Sequence, residues 1–93
     1  MDIKEFKNKV LEFVTKLRTD NYIDEGIYDS ISDYLLLQRK TWEEQNAVPL
    51  EVFETCVDLI MSLAGGNRFL SETAQERLED ISDEVYGALM GFE

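Results

Sequence analysis

The chemistry open to this chain is narrowed first by what its residues lack. The sequence contains no histidine and a single cysteine, Cys56. There is therefore no imidazole to activate a serine or cysteine nucleophile, to act as a general base or to ligate a metal. Cys56 stands between Phe53 and Ile60 on the most apolar segment. A thiol there reads as a small buried hydrophobe, and alone it forms no internal disulfide. The segment from Asp20 to Ser30 resembles a calcium loop, but Gly26 falls one position late and Ile31 stands where a bidentate Glu is needed. Gly65–Gly66 lacks the Lys-Ser/Thr of a phosphate loop and ends a helical pattern instead of starting one. No catalytic group, cofactor or metal is expected.

Carboxylates are what remains. The chain carries 20 acidic and 9 basic residues, a net charge of −11. A field of this sign repels nucleic acid and anionic membranes and attracts basic proteins. Glu25, Asp29 and Asp33 follow one another at i, i+4, with Tyr22 and Leu36 on the same outer side. Glu72, Glu76, Glu79 and Asp83 form a second line, completed by Tyr86 and Met90. Like charges at this spacing destabilise a helix by roughly 0.2–0.5 kcal/mol per pair, so a surface shaped for stability alone mixes its signs. One explanation is a solvated face on an acidic protein, with Leu36 or Met90 covered by a loop. The other is docking on a basic partner, the acids giving steering and the tyrosines and aliphatics the dry contacts.

Four helices are needed to position these groups. Ile3, Phe6, Val10, Phe13, Val14 and Leu17 recur at helical spacing, and Asp2 with Glu5 resembles a capping box, so a first helix runs to about Arg18. It holds Lys4, Lys7, Lys9, Lys16 and Arg18, the only positive region. A second helix starts near Asn21 or Tyr22, buries Ile23, Ile27, Ile31, Tyr34, Leu35 and Gln38, continues through Trp42 and closes at Gln45–Asn46. Pro49 fits the first turn of a third, whose main stripe is Leu50, Phe53, Cys56, Val57, Ile60, Leu63 and Ala64, widened by Val52, Leu59 and Met61. Apolar over most of its circumference, it is expected to be central, with Gly65–Gly66–Asn67 ending it. Ser71 or Thr73 caps a fourth with core positions Ala74, Leu78, Ile81, Val85, Ala88 and Leu89. Gly87 interrupts it, for close packing or for fraying near Gly91. With no alternating strand pattern, the expected fold is all-α, a single-domain bundle of four helices over 1–93.

A chain of this length buries roughly 60–65% of its unfolded surface, so each apolar face is expected to have a packing role. Asp2, Lys4 and Glu5 follow Met1 at once, and the longest nearly uncharged stretch, Leu59 to Asn67, is too short to span a bilayer. The expectation is a cytoplasmic protein, monomeric when free, with no membrane or direct nucleic-acid contact.

The run Leu50-Glu51-Val52-Phe53-Glu54-Thr55-Cys56-Val57-Asp58-Leu59-Ile60, followed by Phe69-Leu70-Ser71-Glu72-Thr73-Ala74-Gln75-Glu76-Arg77-Leu78-Glu79-Asp80-Ile81, resembles small helical immunity proteins paired with secreted bacterial toxins. The likeness is to the MafI type and to the immunity proteins of contact-dependent inhibition, over roughly residues 42–89. The resemblance implies a cognate toxin domain as partner, commonly a nuclease with a basic groove, neutralised by binding. An acidic mimic of nucleic acid that blocks a DNA-binding enzyme, and a small helical regulatory or dimeric subunit, are the alternatives.

Overall fold

The computed structural model describes residues 2–64 and 70–90 (for Met90 the backbone alone). Asp2 opens α1, Ile3–Asp20, its carboxylate accepting the Glu5 amide at 2.8 Å. At the other end Asn21 turns left-handed, with φ of 50°, and the amide of Tyr22 reaches back to the carbonyl of Lys16. That turn explains why α2 does not begin at Asn21 or Tyr22. A residue closing one helix in the left-handed region cannot open the next. Instead Asp24 caps α2, Glu25–Gln45, by accepting the Ile27 amide at 3.1 Å. Its other carboxylate oxygen takes the Lys16 ammonium at 2.8 Å, which pins the connection to α1.

Asn46, also left-handed, ends α2 where the sequence places the stop. Pro49 then precedes α3, Leu50–Ala64, its carbonyl accepting the amide of Phe53. The expected terminator Gly65–Gly66–Asn67 and the frayed end at Gly91 lie outside the described residues. Of the two candidate caps for α4, Glu72–Met90, it is Ser71 that acts, its hydroxyl accepting the Ala74 amide at 3.1 Å.

The fold is all-α, with no strand among the described residues. Packing is by neighbours: α1 lies against α2 and α3, α4 lies against α3 and α2, and the diagonal pairs make no close approach. Each helix commits one stripe to a single core. Phe6, Val10, Phe13, Val14 and Leu17 come from α1, and Leu78, Ile81, Val85, Ala88 and Leu89 from α4. Between α1 and α2 the filling is aromatic: Phe6 stacks on Tyr34 at 4.6 Å between centroids, and Trp42 meets Tyr34 edge-on at 6.5 Å. Tyr28, outside the expected stripe, is buried beside Phe13.

The third helix departs from expectation. It is a corner like the others, and it buries only Val52, Cys56, Leu59 and Leu63. Leu50, Phe53 and Met61 are exposed. With four helices around one core, every helix keeps an outer half, so an apolar circumference does not make a helix central.

Gly87 serves no close approach, since a Cβ there would meet nothing within 4 Å. Gly87→Ala is therefore expected to stabilise the protein by about 0.5–1 kcal/mol through helix propensity alone. Urea unfolding followed by circular dichroism measures it; an unchanged or lowered midpoint contradicts the assignment.

Candidate functional site

The acidic residues of α2 and α4 meet first at the seam between these helices. Arg77 of α4 donates to both carboxylate oxygens of Glu25, at 2.8 and 2.9 Å. The same guanidinium lies 5.3 Å from the Tyr28 ring centroid and 3.8 Å from Glu84. Tyr28 completes the group, its hydroxyl donating to the Glu84 carboxylate. Paired with Arg77, Glu25 is held below its usual carboxylate range. Burial, reinforced by Glu84, pushes the Tyr28 hydroxyl well above its ordinary value. Arg77 is the only cation on α4 and is engaged here, so it does not neutralise the outer face of its own helix.

The sequence-predicted residues divide accordingly. Glu25 is spoken for by Arg77. Tyr22 stands exposed on the connection between α1 and α2, not on α2 itself. Asp29 and Asp33 on α2, and Glu72, Glu76, Glu79 and Asp83 on α4, are all exposed. Leu36 is 60% exposed, so no loop covers it. It lines a groove of ≈ 540 Å³ between α2 and α4 with Tyr28, Arg39 and Glu84, opened by the missing side chain of Gly87. Glu79 and Asp83 rim a different cavity, ≈ 430 Å³ between α3 and α4, floored by Leu63, Leu70 and Leu78. Tyr86 is exposed on α4, and the Met90 side chain lies outside the described residues. The two acidic lines thus lie on adjacent helices, separated by the Glu25–Arg77–Tyr28–Glu84 group.

A third groove, ≈ 740 Å³, runs between α1 and α3, with Leu11, Val14, Leu59 and Met61 along it and Lys7, Arg18 and Asp58 at its rim. Arg18 bridges it, donating to the Ser62 hydroxyl at 3.3 Å.

The outer face of α3 is not separated from its core face by apolar spacing alone. Two interleaved series were present in the residues: Val52, Cys56, Leu59, Leu63 at steps of four, three, four, and Leu50, Phe53, Val57, Ile60, Ala64 at three, four, three, four. Reading them as one wide stripe merged a core face with a surface face.

Among the described residues no carboxylate is buried, and no group of three or more Cys, Asp or Glu could hold a metal ion. The Cys56 thiol is fully buried, and burial pushes it up to about 12. Neither a protein-family model, nor a curated protein, nor a solved structure matches this chain.

Two outcomes follow from this geometry. Ellman's reagent is expected to leave Cys56 untouched in the native protein and to label it fully in denaturant; labelling of the native protein at the rate of a free thiol contradicts its burial. Arg77→Met is expected to cost about 1 kcal/mol at neutral pH, from the exposed ion pair and the ring contact together. Because Arg77 lowers the Glu25 pKa, the pair's stabilisation is present above 4.5, the ordinary glutamate value, and fades as pH falls through the folded-state value. The gap in unfolding midpoint between wild type and variant should therefore narrow in acid, and a constant gap would show that Glu25 is not the group involved.

Proposed function

We propose that this protein is an inhibitor of the immunity type, binding and neutralising a basic toxin domain through the acidic faces of α2 and α4. The observation that carries this is the exposure of Asp29, Asp33, Glu72, Glu76, Glu79 and Asp83 with no ion pair of their own among the described residues. The one cation of α4, Arg77, is turned inward onto Glu25, and on α2 Arg39 pairs with Glu43 and leaves Lys40 alone among the acids. Leaving such lines of like charge unpaired costs stability, and a partner that supplies Lys and Arg recovers it on binding. Leu36, Tyr22 and Tyr86 offer apolar and aromatic surface beside the acids, the mixture a specific interface uses at its dry centre.

An inhibitor of this kind needs no chemistry of its own. If the partner is a nuclease, these carboxylates take the place of phosphates against the Lys and Arg of its groove, and access of substrate is blocked. Long-range attraction between a chain of net charge −11 and a basic domain speeds encounter, which favours capture of a toxin before it acts. The protein works in this reading as a free monomer in the bacterial cytoplasm. No helix among the described residues is long and apolar enough to cross a membrane.

The test is to look in the reading frame beside this one for a basic toxin-like domain and, with that domain, to titrate binding calorimetrically and assay residual toxin activity. A neighbourhood without such a domain counts against the reading. Asp29→Lys with Asp33→Lys, or Glu76→Lys with Asp83→Lys, is expected to weaken binding by about tenfold or more while the helical signal is retained. Salt should weaken the wild-type complex more than either variant complex. Wild-type affinity in both double variants would sink the acidic-face reading.

A further inference from the structure

The outer face of α3 carries an apolar line left open among the described residues, with Ile60 at its inner edge packed against the core. Leu50, Phe53, Val57, Ile60, Met61 and Ala64 run along it for the length of the helix. Leu50 and Met61 are 69% and 67% exposed, Phe53 and Ala64 are exposed, and Val57 and Ile60 are half-buried. Single apolar residues on a surface are ordinary, but a continuous stripe at alternating three- and four-residue steps is the pattern by which one helix receives another.

The charges around the stripe state what kind of helix fits. α3 itself contributes Glu51, Glu54 and Asp58 and has no Lys or Arg. From the neighbouring helix, Glu79 and Asp83 rim the α3–α4 cavity. Among the described residues the sign changes at the α1 edge, at Lys7 and Arg18, which bounds the acidic border on that side. A second copy of this chain would bring the same three α3 carboxylates against their equivalents, and like charges at close quarters disfavour that pairing. We propose that the outer face of α3 is a docking site for a basic amphipathic helix of a partner protein, with an apolar ridge seated along Leu50–Ala64 and Lys or Arg flanks set against Glu51, Glu54, Asp58, Glu79 and Asp83. This site is separate from the α2 face but shares Glu79 and Asp83 with the acidic line of α4, so only the α2 half of the function proposed above is independent of it.

The probe is a fluorescein-labelled peptide of about 18 residues with leucines at i, i+3, i+4 and i+7 and lysines on both flanks, long enough for the groove-binding mode. Its control keeps the leucines and replaces lysine by glutamate. Anisotropy titrations with the full chain are expected to show saturable binding of the lysine peptide and at least about tenfold weaker binding of the control. Leu50→Ser with Met61→Ser, chosen because both side chains are mostly in solvent, should weaken the lysine peptide about tenfold or more with an unchanged unfolding midpoint. Phe53→Ser serves as a second, independent change on the same stripe. Asp29→Lys with Asp33→Lys should leave peptide affinity within about twofold, which separates this site from the α2 face. Equal binding of both peptides, or affinity indifferent to both sets of α3 changes, overturns the proposal. So does a homodimer in sedimentation velocity that the Leu50 and Met61 changes abolish, since a second copy would then own the face.

Discussion

Everything in this structure depends on four helices each burying one stripe in a shared core while touching only two neighbours. Phe6, Phe13, Leu17, Ile31, Leu59 and Ile81 are fully enclosed by that arrangement. It follows that every helix has an inner half decided by packing and an outer half free to be something else. On α1 the outer half is basic, on α2 and α4 acidic, and on α3 apolar with an acidic border. The core thus sets the directions in which each outer face points.

The Glu25–Arg77–Tyr28–Glu84 group shows how polar residues are used where two helices meet at the surface. None of its ionised groups is deeply buried, so the heavy penalty of isolating a charge is avoided. Tyr28 lets its ring join the core against Phe13 while its hydroxyl reaches the acidic surface of α4. In using Arg77 to fasten α2 to α4, the protein turns the one cation of α4 away from that helix's outer side. Fastening and acidity are therefore linked by the same side chain.

Much of this was legible in the residues. Strict helical spacing on α1 and α4 gave their buried positions almost completely, because an amphipathic helix with one apolar face admits one orientation. Asn46 as a stop was legible for the same local reason, a side chain that tolerates left-handed backbone. The start of α2 was not, because Asn21, Asp24 and their neighbours all have capping chemistry, and only the connection to Lys16 decides between them. Tyr28 escaped notice since its partner Glu84 is remote in sequence. Likewise, spacing placed Asp29, Asp33, Glu76 and Asp83 on the surface, but it could not show that Glu25 is bound to Arg77. The two stripes of α3 were both visible, yet which one meets the core is settled only by the position of α1 and α4.

The neighbour-only packing also has a consequence for how the chain reaches this structure. α1 with α2, and α3 with α4, are adjacent in sequence as well as in space, so each pair closes at the small entropic cost of a short loop. Two helical hairpins can form locally and early, and topologies dominated by such contacts are among the fastest to fold. The joints between hairpins are the contacts that span most chain: Arg77 on Glu25, Tyr28 on Glu84 and Arg18 on Ser62 each join one hairpin to the other. Residues that look like surface ornament in the finished molecule thereby mark the seam between two locally closed halves.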